Sequence, residues 1–342
     1  MVNGLIQFGK LLQNLGQNAA YPGFYSGVTE SEYLEIQHAI NKEQQFNPWF
    51  TKENICSALS GISRMLQPEE LDKVIRNYGE VGSPKKVAII MAGNIPFVGF
   101  HDVLAVLLTG NSAVCKFSSS DSRIPPLLLS KLIEFVPELR ERLIFSFGPL
   151  KEYDAVIATG SNNTIAGLST YFKHVPALFR KNRTSIAVLD GTETKEELAM
   201  LADDCFMYFG MGCRNVGKLF LPEDFEINRI FEAFLSYGDI INHHKYANNY
   251  DYQRTIFLMN QVAFLDNNSF MMKEDEGLHA PLSMLFYSRY KNRGEVDAFI
   301  ADHTDEIQIE VSHAAVPFGL AQSPGILDFA DGVDTFGWLL KL

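Results

Sequence analysis

The chain has 342 residues, 46% hydrophobic and 20% charged, the balance of a folded, water-soluble protein long enough for two domains. With 29 basic against 41 acidic residues its net charge is −12, which argues against nucleic acid or an anionic membrane surface as a partner. No apolar run approaches the length of a membrane span and the amino terminus lacks the pattern of a secretory leader, so a cytoplasmic protein is expected.

The stretch up to about Gly82 reads as helical. Leu5, Phe8, Leu11, Leu12 and Leu15 recur at helical spacing, and so do Ile55, Leu59, Ile62 and Leu66. Thr51 is placed to cap the second helix, and Pro68 suits the first turn of another that stops near Gly79. Tyr21-Pro22-Gly23 and Asn47-Pro48 mark turns between them. No catalytic arrangement stands here, and the segment is expected to pack as a lead-in on the main domain.

From Lys86 strands and helices alternate. Val87-Ala88-Ile89-Ile90-Met91 is a continuous apolar run, as in a strand covered on both faces. A helix over 100–108, ended by Gly110, leads to a strand at 113–117. A helix at 125–135 is followed by strands at 143–147 and 154–158, a helix from Asn162 and a strand at 185–189. This succession predicts a parallel, doubly wound sheet, whose ligands bind beyond the carboxyl ends of the strands. The loops there are Ala92-Gly93-Asn94-Ile95-Pro96-Phe97, Lys116-Phe117-Ser118-Ser119-Ser120 and Thr159-Gly160-Ser161-Asn162. The last is either a helix cap alone or a set of N–H groups offered to a phosphate. Neither G-x-G-x-x-G nor G-x-x-x-x-G-K-S/T is present, which disfavours ordinary Rossmann dehydrogenases and P-loop enzymes.

Further along, Thr194-Lys195-Glu196-Glu197 reads as a capping box for a helix reaching Phe209. Then comes Gly210-Met211-Gly212-Cys213-Arg214-Asn215, just before the strand-like run from Gly217 to Leu221. Two glycines leave room beside the sulfur of Cys213, and a cysteine in a loop between helix and strand is placed for nucleophilic chemistry. The other cysteines, Cys56, Cys115 and Cys205, fall in helical or strand patterns and read as small core hydrophobes. No Cys-x-x-Cys pair and no histidine at zinc-ligand spacing occurs, so neither a disulfide framework nor a metal site is expected. The tract His243-His244-Lys245 reads as a solvated helix end, Arg180, Lys181 and Arg183 as a solvated turn, and Arg214 as a member of an ion pair. Most of the 26 phenylalanines must be core.

Taken in order, these loops resemble the aldehyde dehydrogenase superfamily and, within it, the LuxC-like acyl-CoA reductases, over residues 86–335. Ala92-Gly93-Asn94-Ile95-Pro96 resembles the Pro-Trp-Asn-Phe-Pro block whose asparagine helps form an oxyanion hole, which implies that role for Asn94. Gly110-Asn111-Ser112-Ala113-Val114-Cys115-Lys116 resembles the block whose lysine contacts the cofactor ribose, which implies Lys116 and, beside it, Ser118. Thr159-Gly160-Ser161 is similar to the turn beside the cofactor pyrophosphate, implying Gly160 and Ser161, and Gly210-Met211-Gly212-Cys213 to the nucleophile block. Glu276-Gly277-Leu278-His279-Ala280-Pro281 resembles, one residue out of register, a Glu-x-Phe-Gly-Pro block whose glutamate holds the nicotinamide ribose, so Glu276 or a neighbour takes that part. Pro317-Phe318-Gly319 resembles a late Pro-Phe-Gly-Gly block and adds Phe318 to the cofactor set. The closing run from Gln322 to Thr335 looks more like LuxC-type sequences than like oxidising dehydrogenases.

Two departures carry information. Oxidising relatives have a general-base glutamate where this chain has Ala177-Leu178-Phe179-Arg180-Lys181-Asn182, with no carboxylate to activate a hydrolytic water. Ser119 stands where NAD-preferring relatives often carry glutamate, which removes repulsion toward a 2′-phosphate and favours NADPH, with NADH as the other choice. The resemblance therefore implies an aldehyde dehydrogenase-like α/β fold, with a helical lead-in and doubly wound cofactor domain at 1–182 and a second α/β catalytic domain at 183–342. It implies reduction of an acyl-CoA or other acyl thioester to an aldehyde through an acyl-Cys213 intermediate, and a homo-oligomer. The alternatives are a CoA-independent aldehyde, semialdehyde or acyl-phosphate dehydrogenase, and an inactive acyl-binding scaffold subunit.

Overall fold

Helix α1 (Val2–Gly16) turns Leu5, Phe8, Leu11, Leu12 and Leu15 onto one buried face. It packs on α3 (Lys52–Met65), which Thr51 caps and which buries Ile55, Leu59 and Ile62. Between them lies α2 (Glu30–Lys42), started by a capping box of Thr29 and Glu32, and after them α4 (Pro68–Asn77) with its proline in the first turn. Helix α2 buries only Tyr33, Ile36 and Ile40, too sparse a stripe to stand out as a separate helix in the sequence. The computed structural model describes residues 1–342, and its chain divides into two units, 1–182 with 324–342 and 183–323.

In the first unit β1 (Lys86–Ile90), α5 (Phe100–Leu108), β2 (Ser112–Lys116), α6 (Ile124–Phe135), β3 (Leu143–Ser146), β4 (Ala155–Thr159), α7 (Asn162–Tyr171) and β5 (Ala177–Arg180) follow in turn. The strands form a wholly parallel sheet in the order β3-β2-β1-β4-β5, so the chain reverses direction across the sheet beside β1. That is the doubly wound arrangement, and β1 at its centre is buried through Val87, Ala88 and Ile89.

The second unit runs β6 (Thr184–Val188), α8 (Lys195–Phe206), β7 (Val216–Pro222), α9 (Asn228–Ala233), α10 (His244–Met259), β8 (Leu265–Asp266), β9 (Met271–Glu274), β10 (Met284–Tyr290), α11 (Arg293–Asp302) and β11 (Ile307–Val311). Its sheet has the order β11-β6-β7-β10-β9-β8, parallel except for the β8–β9 pair. Strand β6 lies in this second sheet, between β11 and β7.

Three expectations change. The tail, α12 (Thr335–Leu339) and the residues before it, was placed with the second domain but belongs to the first unit. Ile326, Phe336 and Leu339 enter that unit's core, and the carbonyl of Ile326 bonds to His101 Nε2 at 2.8 Å. Arg180 does not lie in a solvated turn. It is 4% exposed on β5, its guanidinium bonded to both carboxylate oxygens of Asp102 at 2.7 and 3.3 Å and to Thr335 Oγ1 at 2.8 Å. A buried charge needs such partners, and these tie strand, helix and tail together. Finally, α8 ends at Phe206, not Phe209, because Tyr208 and Phe209 take the left-handed conformation. No helix is long and apolar enough to cross a membrane.

Candidate active site

The parallel register brings one group of candidate residues to one edge of the first sheet. Ile90 pairs with both Lys116 and Ala158, so the loops after β1, β2 and β4 leave side by side. They carry Asn94, exposed; Lys116 and Ser118, half-buried; and Gly160 with exposed Ser161. The β1 and β2 loops stay paired for one further step, Met91 N–H donating to the carbonyl of Lys116 at 3.1 Å. Lys116 Nζ donates to the carbonyl of Gly148 at 2.9 Å, which steers the ammonium along the strand ends.

These residues fit a dinucleotide. Ser161 caps α7 through the N–H of Thr164, and the first turn of α7 holds no acidic residue, so the helix end favours an anion. A Cβ on Gly160 would come within 3.0 Å of Thr164 Cγ2, filling the approach to that turn. A Cβ on Gly93 would meet Ser118 Oγ at 2.5 Å, so the two loops touch backbone to side chain.

In the second unit Cys213 follows three consecutive left-handed residues, Tyr208 (φ 54°), Phe209 (φ 60°) and Gly210 (φ 76°). Two of these are not glycine, a conformation that persists only where its surroundings impose it. The brace is Asn215, 3% exposed. Its Oδ1 accepts from Gly212 N–H at 2.8 Å, and its Nδ2 donates to the carbonyls of Asp204 and Met207 at 3.0 and 2.9 Å. Ser185 Oγ on β6 donates to the carbonyl of Cys213 at 3.0 Å. Cys213 itself is half-buried, whereas burial pushes the thiols of Cys56, Cys115 and Cys205 up and disfavours their thiolates.

The segment of Phe318 reaches the same loop. Asp204, near the carboxyl end of α8, accepts from the N–H groups of Gly319 at 2.7 Å and Ala321 at 2.9 Å. Arg214, expected in an ion pair, donates through Nε to the carbonyl of Ala321. Phe318 is 5% exposed and joins this unit's core, its ring edge-on to His313. Glu276 follows β9 and Cys213 precedes β7, and past Glu276 the chain turns back so that the carbonyl of Leu278 comes within 4.0 Å of a Cβ placed on Gly217, near the start of β7. The exposed Glu276 lies near Lys218, a fully buried lysine on β7 that burial lowers to about 8, against the pull of the charges of Glu276, Asp275 and Glu274. Lys218 Nζ bonds to the carbonyl of Asp275 and to Ser288 Oγ.

Asn215, Asp204, Lys218 and Asp121 escaped the sequence reading. Asn215 was the most accessible, standing two residues past Cys213 at the entry to a strand. The others are charged residues within apolar or serine-rich runs, and only the fold shows what they hold. The tract at His243 begins α10, His243 Nδ1 accepting from Tyr246 N–H at 3.4 Å.

A doubly wound parallel sheet in one unit and a mixed sheet in the other define an aldehyde dehydrogenase-like fold. It is similar to an engineered glycolyl-CoA reductase solved with NADP+, at TM-score 0.62 and 12% identity over 99% of this chain and 90% of the other. It is also similar to the indole-3-acetaldehyde dehydrogenase AldA of P. syringae, solved with NAD+ (TM-score 0.60, 14% identity, 87% and 68% covered). A third is aldehyde dehydrogenase 21 of Physcomitrella patens (TM-score 0.59, 12% identity, 90% and 71% covered). No curated protein matches the chain. The sequence model of the acyl-CoA reductase (LuxC) family matches residues 31–233, more than half of the chain and a span that holds both Asn94 and Cys213. The chain belongs to that family.

Proposed function

We propose that this protein reduces an acyl-CoA, or another acyl thioester, to the aldehyde, with Cys213 as the nucleophile. The observation that carries the reading is the Cys213 loop: a strained, braced turn in which Cys213 is half-buried, within a chain of the acyl-CoA reductase family. The thiolate of Cys213 attacks the thioester carbonyl and a new S–C bond forms. Asn94 donates to the oxyanion of the tetrahedral intermediate. The C–S bond to the carrier then breaks, the carrier leaves as a thiol, and the acyl group rests on Cys213.

A nicotinamide cofactor fits the loops of Lys116, Ser118, Gly160 and Ser161 and, when bound in reduced form, supplies the hydride. A proton and two electrons, the equivalent of a hydride, turn the acyl-enzyme into the thiohemiacetal oxyanion on Cys213, which collapses to the aldehyde and the Cys213 thiolate. The glycolyl-CoA reductase of similar fold holds NADP+, and Ser119 places no carboxylate against a 2′-phosphate, so NADPH is the preferred donor. The stretch 177–182, which forms edge strand β5, offers no carboxylate to activate water, so the acyl group is kept for reduction.

The test is a balance of products. Acyl-CoA with NADPH should give aldehyde and free CoA in equal amounts, and aldehyde with NADP+ should turn over only when CoA is added as acyl acceptor. Rapid CoA-independent formation of carboxylic acid would move the protein to the oxidising dehydrogenases. Asn94→Ala should lower turnover by about 100- to 1,000-fold with little change in KM.

A further inference from the structure

Asp121 lies five residues past the end of β2, in a turn closed by its own N–H on the carbonyl of Ser118 at 3.0 Å. It is 5% exposed, and its Oδ2 accepts from the N–H of Phe97 at 2.8 Å. Phe97 stands three residues past Asn94 with φ 62°, a left-handed turn ahead of α5, and is 8% exposed. A buried N–H there needs an acceptor, and the carboxylate is the one supplied. On the other side of Asn94, Gly93 lies against the same turn, where a Cβ would come within 2.5 Å of Ser118 Oγ and 2.9 Å of Ser120 Cβ. The loop of Asn94 is thus held to the serine turn on both flanks, before it by close packing and after it by a carboxylate. Asn47 Nδ2 secures the turn from outside through the carbonyl of Ser120 at 3.1 Å.

We propose that Asp121 is a positioning residue that locks the Asn94 loop to the serine turn following Lys116, so that oxyanion donor and cofactor-side loop are set together. The proposal rests on the reading of Asn94 given above. Besides the Phe97 N–H, the charged group acting on Asp121 is Glu43, 2% exposed in the turn after α2, which is itself paired with Arg123 at 3.2 Å. Burial pushes the carboxyl of Asp121 up to about 7, against the Phe97 N–H and with the help of the Glu43 charge. The Phe97 N–H is the one hydrogen bond that works against that rise, and it holds the two loops together in either protonation state because a carboxyl oxygen accepts in both.

Asp121→Ala removes the acceptor, whereas Asp121→Asn keeps a carbonyl oxygen without the charge. In the full chain, amide exchange of peptides covering 91–99 should quicken about tenfold or more in Asp121→Ala and stay within about threefold of wild type in Asp121→Asn. Asp121→Ala should lower kcat for thioester reduction about 10- to 100-fold with the thioester KM little changed. In an Asn94→Ala background it should lower kcat no further, whereas a merely structural role would give additive losses. Unchanged exchange in Asp121→Ala, or additive kinetic losses, overturns the lock. If wild type reduces no thioester while exchange responds as stated, the lock stands and the oxyanion reading of Asn94 falls. Should Asp121→Ala fail to fold, Asp121→Ser, whose shorter side chain withdraws the acceptor from the Phe97 N–H, takes its place in the same exchange and kinetic comparisons, and the same results overturn the lock.

Discussion

The two units secure their site loops with the same device and different strength. In the first, Asp121 holds one backbone N–H, that of Phe97; in the second, Asp204 holds two, those of Gly319 and Ala321. Burial raises both carboxyls, Asp204 to about 6 and Asp121 to about 7, against the N–H groups each accepts. The neighbouring charges differ as well, Glu43 raising Asp121 and Arg214 lowering Asp204 against Asp203. The two loops are thus pinned by one carboxylate each, with two backbone donors in the second unit and one in the first.

The comparison can be broken first at its largest expected effect. Arg180→Met in the first unit strands the buried Asp102 carboxylate and should cost about 3–5 kcal/mol in denaturant unfolding. A loss no larger than that of a surface substitution would show that the ion pair with Asp102 and Thr335 does not hold the tail. Next in size, Asp204→Ala leaves two buried N–H groups unmet and Asp121→Ala one, at about 1–3 kcal/mol each. The second-unit variant should therefore lose about twice as much stability, and equal losses would refute the donor-count argument. The smallest effect is on pH dependence. Both aspartates have folded pKa values above the ordinary 3.8, so the folded protein binds more protons than the unfolded chain between about pH 4 and about pH 7. Their contribution to stability falls as pH rises through that window and is flat above it. Replacing either by Asn should remove its share of that fall, ending near pH 6 for Asp204 and near pH 7 for Asp121. Curves parallel to wild type would contradict the assigned shifts.

Much of the first unit was legible in the sequence because its strands are buried on both faces and read as apolar runs. Strand β1, buried from Val87 to Ile89, and strand β4, buried from Ala155 to Ala158, illustrate this. Strand β5 was passed over because Phe179-Arg180 ends in a charge, which is buried only by virtue of Asp102 far away in the chain. Helix α8 was overextended because a capping box states where a helix starts, while its end here depends on left-handed Tyr208 and Phe209, which no residue type announces. The tail was misplaced because its destination is set by tertiary partners, the ring of His101 and the guanidinium of Arg180. In the site, Asn94, Lys116, Gly160 and Cys213 were readable as loop residues at strand ends. Glu276 is the least legible of the set, since its block stands one residue out of register.

The central claim is that Cys213 carries the acyl group, and one measurement tests it directly. Wild type incubated with acyl-CoA in the absence of reduced cofactor, then digested and analysed by mass spectrometry, should show the acyl mass on the peptide containing Cys213. Addition of NADPH should discharge it with release of aldehyde, and Cys213→Ala should show neither the adduct nor turnover. An adduct on Cys56 or Cys205, or turnover retained in Cys213→Ala, would contradict the account.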